Sequence, residues 1–155
     1  MDRAELRELL DTGVAMLGVS TDDQLVPEAF RVWGATIDEL GGLRALVSSD
    51  AGRTLAGLRA GGRLSFVFTD ITTFRSVQVK GTAVAGAEVP GPTDAALMRQ
   101  YDETFRAALA AIGHPRQLVE RLRPAAVFVA RIAIDELYDQ TPGPGAGRSV
   151  GALRG

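Results

Sequence analysis

The stretch that decides the fold is Leu46–Phe68, LVSSDAGRTLAGLRAGGRLSFVF. It opens on the end of an apolar, strand-like run, Leu43–Ser48. Ser49-Asp50 can then cap a short helix over Ala51–Arg59, which Gly61-Gly62 terminates. Leu64–Thr69 (LSFVFT) is a second strand. Between the strands, hydroxyls, free helical N–H groups and Arg53 converge. Unpaired N–H groups and the positive dipole end of a helix attract an anion, Arg53 adds bidentate recognition, and a phosphate is the natural guest. The same residues also read as a plain cap beside a solvated arginine, and the segment alone favours that reading.

Working outward, residues 2–11 read as an amphipathic helix, with Asp2 as N-cap and Leu6, Leu9 and Leu10 on one stripe. Val14–Ser20 and Leu25–Trp33, on either side of the turn Thr21–Gln24, read as a hairpin, with Pro27 where an edge tolerates a missing N–H. Glu39–Gly42 and Asp70–Thr73 are further turns, and Phe74–Val84 alternates as a strand with a slip near Ser76. Pro90-Gly91-Pro92 breaks the chain. Thr93-Asp94 caps a helix to about Ile112, whose face carries Leu97, Tyr101, Phe105 and Leu109. Gly113-His114-Pro115 is a stop, followed by a second short helix to about Leu122, and Ala125–Ile134 is a strand.

The tail QTPGPGAGRSVGALRG from Gln140 has few apolar groups. It is expected to be mobile or held against another surface, and ordered only where another subunit receives it. The division is thus a barrel domain over 1–138 and a Pro/Gly-rich tail over 139–155. Glycine supplies 18 of 155 residues, above the usual share of roughly 7%, and these glycines read as turn residues. Hairpin-connected, alternating strands with a few helices imply a mainly β, antiparallel barrel rather than an alternating βαβ sheet.

Composition narrows the chemistry. There is no cysteine, which removes disulfides and thiolate chemistry and fits a cytoplasmic protein. With a formal charge of -2 and no basic run, nucleic acid is not the expected partner. No apolar run reaches membrane-spanning length. His114, the one histidine, sits between breakers and reads as a solvent-facing linker residue, so neither a metal site nor a Ser-His-Asp triad is expected. The acids of Asp22-Asp23 and Asp38-Glu39 read as solvated turn residues. GPGAG in the tail lacks the strand–turn–helix setting of a nucleotide loop. Arg31, Arg75 and Ser76 are further candidates for phosphate or ring contacts, and Trp33 could stack on a ring system.

Three segments resemble the flavin-binding split-barrel proteins related to pyridoxamine 5'-phosphate oxidase. The first is the strand with Pro27 and Arg31-Val32-Trp33; the second is Leu46–Phe68, with Leu58-Arg59 and Arg63 in place; the third is FRSVQVKG, Phe74–Gly81. Their order covers residues from about 14 to 147. The resemblance implies a six-stranded antiparallel split β-barrel of the FMN-binding type and a homodimer with a cofactor groove at the interface. It also implies an FMN-dependent oxidoreductase acting on a small-molecule substrate, with deazaflavin F420 as the alternative cofactor and a non-catalytic flavin-, deazaflavin- or haem-binding protein as the alternative role. Carried over, it assigns Ser48, Ser49, Arg53 and Thr54 to the phosphate, Arg31, Val32 and Trp33 to the ring, and Arg75 and Ser76 to an approach from the next strand. The chain departs from the pattern at three points: Thr54 stands where many members have Lys, Gly57 replaces Asn, and Gly61-Gly62 replaces Asn-Pro. The substrate residues and arginine-rich C-terminal signature of the oxidase itself are absent, so vitamin B6 oxidation is not implied.

Overall fold

The computed structural model describes residues 1–59, 61–115, 117, 120–122, 124 and 126–151. The chain runs α1 (Arg3–Leu10), β1 (Ala15–Thr21), β2 (Pro27–Ile37), β3 (Leu43–Ser48), α2 (Gly52–Arg59), β4 (Arg63–Thr69) and β5 (Ser76–Ala83). After these come α3 (Pro92–Ala111), a single 3-10 turn at Glu120–Leu122, β6 (Val127–Asp139) and β7 (Ser149–Gly151). The second short helix expected to reach Leu122 falls largely outside the described residues.

All named strand pairs are antiparallel, in the order β3-β2-β1-β4-β5-β6-β7, and β3 also pairs with β6. That last pairing closes six strands into a barrel and leaves β7 as an extra strand. Closure removes the exposed edges that an open sheet would present. β6 is long enough to serve two neighbours along one edge. Val127–Ile132 pairs with β3, and Leu137–Tyr138 pairs with β7. The chain has the split-barrel fold.

Alternation places one face of each strand inward. Phe30, Val32, Phe66, Phe68, Val77, Val79 and Leu137 are buried in one core, and Phe30 meets Phe66 edge to face at 5.9 Å between ring centroids. Leu6, Leu9 and Leu10 bury the stripe of α1, which begins with the reciprocal hydrogen bonds of Asp2 and Glu5. Tyr101 and Phe105 bury the face of α3, which packs on β2.

The structure corrects several sequence expectations. Gly18, Gly34 and Gly81 lie inside strands, not in turns. Gly18 is the cross-strand neighbour of Phe30, and a Cβ there would lie 2.2 Å from the Phe30 ring. Gly81 sits at a register shift against β6, where a Cβ would lie 2.1 Å from the Ala133 carbonyl oxygen. Asp22 and Asp38 are turn organisers rather than merely solvated acids. Asp22 accepts from the Gln24 and Val26 N–H groups, and Asp38 accepts from those of Leu40 and Gly42. The tail as far as Gly151 is held by its own chain: Gln140 donates to the Ser76 carbonyl, Asp139 to the Arg148 carbonyl, and β7 pairs with β6. Backbone hydrogen bonds to an available strand edge do what its sparse apolar groups could not.

Candidate functional site

Period-two alternation sets Ala29, Arg31 and Trp33 on the outer face of β2 while Phe30 and Val32 face the core. The end of β3 brings Ser48 and Ser49 beside them. Together with Leu17, Glu28, Asp50, Ala51, Arg121, Leu122 and Pro124, these residues line an open cleft of about 520 Å³. That volume lies within the usual range for small-molecule sites, roughly 300–1,000 Å³.

One wall is aromatic and cationic. The Arg31 guanidinium lies 4.8 Å from the centroid of the Trp33 ring and 5.5 Å from that of Phe105. The Tyr101 phenol stands next to Arg31. Burial pushes it up to about 12, against the opposing pull of the Arg31 charge, so it stays neutral. The buried Arg31 Nε and Trp33 Nε1 find no hydrogen-bond acceptor among the described residues.

At another side of the cleft, Asp50 and Ala51 lead into α2. No residue of its first turn is acidic, and among the described residues no hydrogen bond from the α2 N–H groups to a Ser49 or Asp50 side chain replaces the one to Glu28. Glu28, reaching across from β2, accepts the Thr54 N–H at 2.7 Å and the Thr54 hydroxyl at 2.9 Å through the same oxygen, Oε2. Thr54 Oγ1 also lies 2.7 Å from Ser20 Oγ. Ser20 and Glu28 are cross-strand partners in the β1–β2 hairpin, so register alone puts both beneath α2. Arg53 pairs with Asp22 at 3.4 Å.

Of the residues singled out from sequence, Arg31, Trp33, Ser48 and Ser49 meet in the cleft. Val32 is fully buried beneath it, and so is Thr54 under α2. Arg53 is turned to Asp22. Arg75 and Ser76 are not among the described residues that line this cleft. Arg75 borders a smaller depression with Glu5, Asp139 and Thr141, and the Ser76 hydroxyl bonds that of Thr69 at 2.8 Å. His114 is exposed and away from the cleft lining. Sequence reading missed Glu28, Leu17, Asp50 and Arg121. The signal for Glu28 was the hairpin register, which sets it opposite Ser20. Asp50 was read only as a helix cap, and no local motif announces Leu17 or Arg121.

No protein-family model and no curated protein matches the sequence. Solved structures match the fold. HupZ of Group A Streptococcus aligns at TM-score 0.56 and 16% identity over 95% of this chain and 100% of that one. An F420 reductase aligns at TM-score 0.53 and 15% identity over 84% of this chain and 94% of that one. A candidate pyridoxamine 5'-phosphate oxidase from Lactobacillus delbrueckii aligns at TM-score 0.51 and 15% identity over 86% of this chain and 90% of that one. The fold is that of the pyridoxamine 5'-phosphate oxidase-like split barrels.

Proposed function

We propose that this chain binds the flat ring system of a flavin-type cofactor in the cleft walled by Arg31, Trp33, Ser48 and Ser49. The observation that carries the reading is their convergence from two strands on one cleft. The two donors left without an acceptor beneath that wall, Arg31 Nε and Trp33 Nε1, support it. Solved proteins of this fold include an F420 reductase, which keeps a deazaflavin beside FMN as a candidate ring. The ring, when bound, supplies hydride chemistry, and the activity that follows is a flavin-dependent oxidoreductase with a small-molecule substrate. The chain's own part is to stack, orient and shield. Haem is the weaker reading, because the one histidine lies outside the cleft lining.

The cleft is open on one side, and Leu17 and Val19 on the outer face of β1 are 53% and 42% exposed beside it. A second copy covering that face would close the cleft, so we propose a homodimer with the cofactor groove at the interface. Among the described residues no helix is long and apolar enough to cross a membrane.

The test is titration with riboflavin, FMN and deazaflavin F420, followed by fluorescence quenching, together with sedimentation to read the oligomeric state. Arg31→Ala is expected to weaken ring binding about tenfold, as a lost contact of about 1.4 kcal/mol would. Equal affinity in the variant overturns this placement of the ring. Reduction of the bound ring by a nicotinamide donor separates an oxidoreductase from a carrier.

A further inference from the structure

We infer that Glu28 decides which end-group the cleft accepts: its carboxylate occupies the N-terminus of α2, so the ligand carries no phosphate there. The inference rests on the ring-binding reading for the identity of the ligand, but not for the exclusion itself.

Thr54 is the third residue of α2, and its N–H is one of the donors a helix start leaves without an intrahelical partner. In this fold that donor, the adjacent hydroxyls and Arg53 are where a phosphate was expected. Of these, the Thr54 N–H, the Thr54 hydroxyl and the Arg53 guanidinium are already engaged within the chain. Glu28 Oε2 takes both the N–H and the hydroxyl of Thr54, at 2.7 and 2.9 Å. Ser20 takes the other side of that hydroxyl. Arg53 is matched by Asp22. Thr54 is fully buried, so an incoming phosphate reaches its donors only by displacing the carboxylate.

Charge adds to this occlusion. Glu28 and Asp50 both line the cleft at the α2 end, and a phosphate set against Glu28 would bring like charges within contact distance. A neutral hydroxylated chain meets no such penalty. Its O–H groups can donate to Glu28, and its oxygens can accept from Ser48 and Ser49. The ligand class is therefore a flavin-type ring with an uncharged polyol side chain, riboflavin rather than FMN. The departure at Thr54 fits this arrangement: a threonine hydroxyl fills the gap between Ser20 and Glu28.

The experiment compares the full-length wild type, Glu28→Gln and Glu28→Ala. Glutamine keeps an acceptor oxygen for Thr54 and removes only the charge, so it guards against a folding failure. Wild type is expected to bind riboflavin at least as tightly as FMN, and Glu28→Gln to move the ratio toward FMN by about tenfold, the factor that about 1.4 kcal/mol represents. A wild type preferring FMN tenfold, or a ratio unmoved in Glu28→Gln, overturns the inference. Inorganic phosphate supplies a readout free of the ring. At ionic strength matched with chloride, Glu28→Ala is expected to gain melting temperature in phosphate and wild type to gain none. If neither flavin binds any variant while Glu28→Ala responds to phosphate, the ring reading fails and the exclusion stands. If riboflavin binds and no variant responds to the phosphate group in either form, the exclusion fails and the ring reading stands. Failure of both readouts overturns both.

Discussion

The N-termini of α2 and α3 are each met by a carboxylate, but from different distances. On α3 it is Asp94, three residues into its own helix end, whose Oδ2 accepts the Gly91 N–H at 2.8 Å. Arg44 then grips Asp94 through Nε and Nη2, both at 2.8 Å. On α2 it is Glu28, 26 residues upstream of Thr54, and among the described residues it forms no ion pair. Asp94 is buried to 2% exposure. Arg44 hydrogen bonds, outweighing burial, hold its carboxyl below the usual carboxylate range. Glu28 stands half-buried at the cleft. One carboxylate is a structural rivet joining α3 to β3. The other is a cap that doubles as a wall of the site.

The same chemical change at both ends tests this contrast. Asp94→Asn leaves the partly buried Arg44 guanidinium beside a neutral partner, with Glu88 at 3.2 Å as its remaining carboxylate. It is expected to lower unfolding free energy by about 2 kcal/mol, within the range for hydrogen bonds to a charged group. Glu28→Gln keeps an acceptor for both Thr54 hydrogen bonds and strands no cation, so its cost should stay below about 1 kcal/mol. Urea denaturation of the two variants decides the matter. A Glu28→Gln cost as large as that of Asp94→Asn would mean that Glu28 is a rivet too.

The α2 cap can be opened from its other side. Thr54→Val keeps the shape of a fully buried side chain and removes the hydroxyl that Ser20 and Glu28 share. The Ser20 hydroxyl then loses its partner in a buried place, and a cost of about 1–2 kcal/mol is expected. The N–H of residue 54 still reaches Glu28, so the helix itself should persist, with unchanged far-ultraviolet dichroism. Loss of helical signal in Thr54→Val would show that the hydroxyl, not the N–H, holds the helix start.

The contrast also explains what was legible in the sequence. The α3 end was readable because its signal is local: a break at Pro90-Gly91-Pro92, then an acid, then an apolar face every fourth residue. The strands were readable wherever alternation was clean, and barrel topology followed from hairpin order. At the cleft, Ser48 and Ser49 were found because they lie between a strand and a helix start, and Arg31 and Trp33 because their strand resembles that of a known family. Glu28 was not found, because its role exists only after Ser20 and Thr54 are brought to it by register and by helix packing. Arg53 misled for the same reason: its partner Asp22 lies in a turn 31 positions away in sequence, since 53 minus 22 is 31. The tail misled because its order comes from backbone pairing, which composition does not report.

The smallest expected effect comes from a third carboxylate that holds backbone N–H donors, Asp70 in the β4–β5 turn. Like Asp94 it is supplied locally. Like Glu28 it forms no ion pair among the described residues. Burial raises its carboxyl, but the hydroxyls and N–H groups of Thr72 and Thr73 outweigh that and hold it at about 2, below the ordinary 3.8. A carboxyl depressed on folding contributes stability above its unfolded value, and that contribution is lost as pH falls from about 4 through about 2. Solvent screening at this half-exposed turn keeps it below about 1 kcal/mol. Asp70→Asn should therefore melt slightly below wild type at neutral pH and show a shallower fall in melting temperature from pH 4 to pH 2. The residual slope belongs to the other carboxyls depressed in the same direction, Asp94, Glu136 and Asp139. If Asp70→Asn and wild type fall in parallel, the turn is held by the amide-compatible hydrogen bonds alone. Charge would then matter only where, as at Asp94, an arginine pairs with a buried carboxylate.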